Sequence, residues 1–174
     1  SKAIPQAKRD GASGPTANDM AAAQSMSPED RQAMIESMVQ QLASRLKTEP
    51  GNLEGWLRLG RSYTVLQKNS EARDALAKAA GLAPDNTDVL LLYARAIRAA
   101  AGDRQTPDSG AVMRKVLAID PNNIEALWLV GMAEAAAGER DSGVEKMEKA
   151  FGQLPEDAPN REALQQRLDT LKAG

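Results

Sequence analysis

Neither cysteine nor histidine occurs among the 174 residues. Without cysteine there is no thiol chemistry, no disulfide and no zinc site of Cys/His type, although its absence suits a reducing or an oxidising compartment equally. Without histidine the Ser-His and Cys-His nucleophilic arrangements and the commonest general base are gone. Only Met and carboxylates remain as metal donors, so no haem, metal or other cofactor is expected. Aromatics make up 3% of the chain, which argues against base-stacking platforms. A net charge of −2 gives no bulk attraction to nucleic acid. No apolar run approaches the ~20 residues that span a bilayer. The longest strongly apolar stretch is Val89 to Ala94.

Alanine and leucine are plentiful, strand-like alternation is not, and one stretch carries a repeat signature. Trp56-x2-Leu59-Gly60-x2-Tyr63, followed by Ala72-x3-Leu76 and Pro84, is the tetratricopeptide (TPR) pattern, with Leu76 where a large aromatic is usual. Trp56, Leu59, Gly60 and Tyr63 fall at i, i+3, i+4 and i+7, one stripe of a helix. Gly60 leaves room for a facing helix at Ala72 and Ala79, and Pro84 ends that helix. Prolines followed by turn residues recur at Pro50, Pro84, Pro121 and Pro155, spaced by 34, 37 and 34 residues. Thirty-four is the TPR period. Aligned on them, Trp56 matches Leu90 and Leu127, while Gly60 matches Ala94 and Gly131. The expected fold is all-α, a right-handed TPR superhelix of about three repeats with flanking helices, about eight helices in all.

Taken in order, residues 1–26 mix Pro5, Gly11, Gly14, Pro15 and lysines without apolar periodicity and read as a flexible linker. The opening Ser-Lys-Ala has neither an initiator Met nor a signal peptide, as expected of a segment cut from a longer protein. The TPR domain is expected over 27–174. Ser27-Pro28-Glu29-Asp30 is a helix start, with Ser as N-cap and acids in the first turn. Met34, Met38, Leu42 and Leu46 then make an apolar stripe, read as an N-terminal cap helix over 27–48 in preference to an adaptable binding surface. Repeat one is expected over 51–84, repeat two over 85–121 and repeat three over 122–155. The extra residues of repeat two fall in Gly102-Asp103-Arg104-Gln105, ahead of the helix start Thr106-Pro107-Asp108. Ser109 there replaces the alanine of position 72. Asn160 can cap a last helix over 159–172 carrying Leu164, Leu168 and Leu171.

In a TPR array the first helix of each repeat lines a concave groove, and its residues outside the core stripe select the ligand. The residue after the signature Trp position, and those a turn or two onward, are Leu57, Arg61 and Thr64; Leu91, Arg95 and Arg98; and Trp128 and Met132, with Ala135 beyond. Trp128 is surplus to the stripe of Leu127, Val130 and Gly131. It either packs on a neighbouring helix or anchors a ligand, and the second reading is preferred because Trp and Arg are the side chains that anchor interfaces. Three arginines among leucines, Trp128 and Met132 suit an amphipathic helix with acidic groups or a terminal carboxylate. They do not reproduce the Lys/Asn clamp of chaperone-binding TPR domains, because Arg61 and Arg95 stand where that clamp has Asn. Carboxylate pairs such as Glu29/Asp30 and Glu145/Glu148 are explained by solvation and helix dipoles, so no enzyme is expected.

One block is more specific than the repeat. Asp30-Arg31-Gln32-Ala33-Met34-Ile35, with Met38-Val39, Leu42-Ala43 and Arg45-Leu46, runs into Glu54-Gly55-Trp56-Leu57-Arg58-Leu59-Gly60-Arg61-Ser62-Tyr63. It resembles the periplasmic domain of the cytochrome c-type biogenesis family CcmI, also called CycH. Glu125-Ala126-Leu127-Trp128-Leu129-Val130-Gly131 is similar to it as well, and the resemblance covers about 28–172. It implies a periplasmic module, reaching the membrane only through an N-terminal segment absent from this chain. The implied role is to hold apocytochrome c, by the client's C-terminal helix, for delivery to the haem-ligation complex. A TPR scaffold joining subunits of a membrane complex, without chaperone activity, is the alternative, and a partner-dependent enzyme subunit a distant third.

Overall fold

The computed structural model describes residues 27–173, so the expected linker over 1–26 lies outside the described residues. Eight α-helices and no strand occur among them: α1 Pro28–Thr48, α2 Leu53–Val65, α3 Asn69–Leu82, α4 Thr87–Ala100, α5 Pro107–Ile119, α6 Ile124–Ala136, α7 Arg140–Gly152 and α8 Arg161–Ala173. None of them is long and apolar enough to cross a membrane. Among the described residues the chain divides inside α1, between Gln41 and Leu42, into two units.

In the first unit, the start of α1 is capped as its sequence predicts. The Ser27 hydroxyl accepts from the Asp30 amide at 3.1 Å and donates to the Asp30 carboxylate at 2.9 Å. In the second unit each helix from α2 onward packs on its successor. Three asparagines set the entry of the first helix of each hairpin: Asn52, Asn86 and Asn123 accept from the amides of Gly55, Val89 and Ala126. Each satisfies one of the amides left over at a helix start.

The three hairpins turn by one device. Lys68 N–H donates to Tyr63 O, Asp103 N–H to Arg98 O and Glu139 N–H to Glu134 O, at 2.8–2.9 Å. A left-handed residue precedes each donor, Gln67 (φ 56°), Gly102 (φ 69°) and Gly138 (φ 94°), the arrangement of a Schellman helix end. After the donor, α3 and α7 begin at once. In repeat two the chain instead runs through Arg104 and Gln105 to Thr106, which caps α5. The Thr106 hydroxyl accepts from the Ser109 amide, and the Thr106 amide donates to the Ser109 hydroxyl at 3.0 Å. Ser109 has no solvent exposure, and its hydroxyl also donates to Thr106 O at 2.9 Å. The serine in the alanine slot is thus fully partnered.

Two apolar clusters fill the hairpin interfaces. One gathers Leu57, Leu76, Ala79, Val89 and Ala96 with Trp56 and Tyr93 against it; the next gathers Leu90, Ala94, Met113, Val116, Ala126 and Val130. The space left by Gly60 takes Leu76, on the facing helix between Ala72 and Ala79, whose Cγ would lie 2.5 Å from a Cβ at Gly60. Leu46, from the last turn of α1, is fully buried and occupies the matching space at Gly55. At the far end, Arg161 donates to Leu154 O at 2.7 Å and lies 4.2 Å over the Phe151 ring, fixing the turn into α8. Arg140 donates to Leu171 O near the end of α8 at 2.5 Å, where a cation complements the helix dipole.

Candidate functional site

Helices α2, α4 and α6 carry the eight residues singled out from the sequence, and the structure distributes them over four settings. Leu57 and Leu91 face inward. Leu57 is 7% exposed in the first core cluster, and Leu91 is partly buried against the second. Both were expected in the groove because they follow the signature position. The clusters that hold Leu57 and Leu91, however, join each of these helices to its own hairpin partner and also to the first helix of the next repeat. The apolar stripe of each is therefore wider than the four signature positions and includes the next residue.

Arg61, Thr64 and Arg95 line one cavity of about 420 Å³ between α2, α3 and α4, together with Leu92, Ala99 and Asp103. The Thr64 hydroxyl donates back to Gly60 O at 3.0 Å, so it is already engaged within its own helix. Arg61 is exposed and has no side-chain partner among the described residues.

Arg98 and Trp128 line a second cavity, of about 340 Å³. Ile124, Glu125 and Leu129 of α6, Leu154 past the end of α7, and Asn160 and Leu164 at the start of α8 complete its wall. Its polar elements are few and differ in kind. Arg95 holds Glu125 with its Nε at 2.9 Å and 3.1 Å from the two carboxylate oxygens, and a second guanidinium nitrogen closes the fork. That hydrogen bonding raises the Arg95 pKa further above its ordinary value. Of the three arginines expected to face a ligand freely, Arg95 is thus neutralised by Glu125, and the pair joins the two cavities. Arg98 has no such partner: its Nε is buried and unbonded among the described residues. Asn160 precedes α8, but its side chain makes no hydrogen bond there, contrary to the capping role expected of it.

Met132, expected beside Trp128, lies instead in a third cavity of about 380 Å³ with Gln105, Thr106, Arg114 and Arg167.

Sequence reasoning missed Ile124, Glu125 and Leu129, although Ile124 and Glu125 stand four and three before Trp128, on the same helical face, and Leu129 directly follows it. That spacing could have found the first two. Leu154, Asn160 and Leu164 had no such signal. They reach the cavity only because the α7–α8 turn folds back.

Helix hairpins of a 34-residue period, with cavities between successive first helices, define a tetratricopeptide-repeat module. Residues 16–161 match the family of the cytochrome c-type biogenesis protein H TPR domain, and the chain belongs to that family. It is 61% identical over 57 residues to the cytochrome c-type biogenesis protein CycH of Rhizobium meliloti, covering 33% of this chain and 15% of that one. The CycH protein of Pseudomonas aeruginosa is 28% identical over 131 residues, covering 75% of this chain and 32% of that one. The chain thus spans a third or less of the length of these two relatives. In fold it is similar to the crystal structure of MamA, with a TM-score of 0.57 at 18% identity over 84% of this chain and 91% of that one.

Proposed function

We propose that the chain is an apocytochrome c-binding module of c-type cytochrome maturation. It would act in the periplasm, holding the client's C-terminal helix and presenting it to the haem-ligation proteins. Family membership supports the process. The observation that carries the client-binding reading is the second cavity, where an unpaired guanidinium and an indole meet on a wall of Ile and Leu side chains. Apolar walls with a few placed polar groups are what a small recognition site requires. Trp and Arg are also the side chains that dominate interface energies. The lack of cysteine suits a holder of thiol-bearing clients, because no mixed disulfide can form with it. Fold and family are consistent with a non-catalytic role.

The test is a calorimetric titration of the domain with the C-terminal helical peptide of an apocytochrome c. Saturable binding that weakens on Trp128→Ala is the expected result. Absence of binding, with tight capture of a folded haem-ligation subunit, would replace the chaperone reading with the scaffold one.

A further inference from the structure

We infer that the cavity between Arg98 and Trp128 receives the last residue of a peptide, its α-carboxylate on the Arg98 guanidinium and its apolar side chain against the indole. The inference deepens the client-binding reading and rests on it. It starts from charge. Arg95 and Glu125 cancel each other, so Arg98 leaves the cavity with one uncompensated cation. The Nε of that cation is buried without a hydrogen-bond partner, and a buried donor left unmade costs free energy that a bound acceptor would recover. A guanidinium offers a planar fork, and a carboxylate is the group that fits it bidentately. Asn160 adds an unused amide on the same wall.

An internal Asp or Glu could supply a carboxylate but nothing apolar beyond it. The cavity demands both, because Ile124, Leu129, Leu154 and Leu164 face the same space as Arg98. A C-terminal residue with an apolar side chain has the two groups diverging from one Cα. A helix that ends there brings a further match. Its last carbonyls are unpaired and carry the negative end of the helix dipole, which a cation stabilises.

The experiment compares two forms of one probe, the C-terminal helical peptide of an apocytochrome c as free acid and as C-terminal amide, by calorimetry on the whole chain. The free acid is expected to bind about tenfold or more tightly than the amide. Arg98→Gln should abolish that preference. Arg58→Gln, at an exposed arginine that lines neither this cavity nor the other two, should leave it intact. Arg98→Lys, a point charge in place of the fork, should keep only part of it. Equal affinity of the two forms for the unaltered chain would overturn the inference while leaving the client-binding reading in place. If binding were instead lost on replacing an internal acidic residue of the peptide, Arg98 would belong to a side-chain carboxylate and the inference would likewise fall. Failure of both forms to bind would remove the parent reading and this one together.

Discussion

Single residues decide how closely the helices approach. A Cβ on Gly131 would lie 2.6 Å from the carbonyl oxygen of Gly143, a backbone atom that cannot turn aside. At Gly60 the obstacle is the Leu76 side chain, which has some freedom to rotate. Alanine in a helix interior gains roughly 1 kcal/mol over glycine, whereas overpacking a tight interface loses about 1–3 kcal/mol. Gly131→Ala should therefore destabilise the protein, and Gly60→Ala should do so by less; urea unfolding of both variants will rank them. An order reversed from this would mean that α6 and α7 can slide apart at little cost. Trp128→Ala tests the site at the same scale. Its indole is partly buried on a cavity wall, so truncation should lower stability by less than the ~3–5 kcal/mol of a core aromatic. Peptide affinity should fall about thirtyfold, a loss of ~2 kcal/mol.

At the scale of the helix, much was legible in advance and the exceptions have physical causes. Hairpin periodicity, the N-caps at Ser27 and Thr106 and the placing of the extra residues in repeat two all follow from local chemistry, which a sequence displays. The site was legible only in part. Arg98 and Trp128 meet in one cavity, but Leu57 and Leu91 turn inward because a helix packed on two neighbours buries more than one stripe. The pairing of Arg95 with Glu125 joins two repeats across thirty positions, and no local pattern announces it. Element-scale predictions follow from the helix ends. Thr106→Ala removes the N-cap of α5 and should cost about 1 kcal/mol, with faster amide exchange confined to that helix's first turn. Exchange that rises equally in α3 and α7 would show a collective effect in place of a local one. Leu46→Ala empties the space at Gly55, where Leu46 is fully buried, and should lower stability by roughly 2–5 kcal/mol.

For the molecule as a whole, the proposed role turns on which state of a client can reach the cavities. An amphipathic helix is held through its apolar face, and a folded cytochrome turns that face toward its own interior. Haem attachment and folding would therefore withdraw the group that the Trp128 cavity takes up, and the client would leave without any motion of the TPR array. Release then needs no energy source. It follows from the client's folding free energy, since a partner that binds only the unfolded form is displaced as the folded form is stabilised. The expected outcome is that apocytochrome c binds the domain and the haem-bound folded protein does not, as measured by calorimetry or co-sedimentation at matched salt. A destabilised holocytochrome, which exposes its terminal helix part of the time, should fall between the two. Equal affinity for both forms would mean that recognition uses a surface present on the folded cytochrome. The domain would then act as a scaffold rather than a holder of unfolded chains.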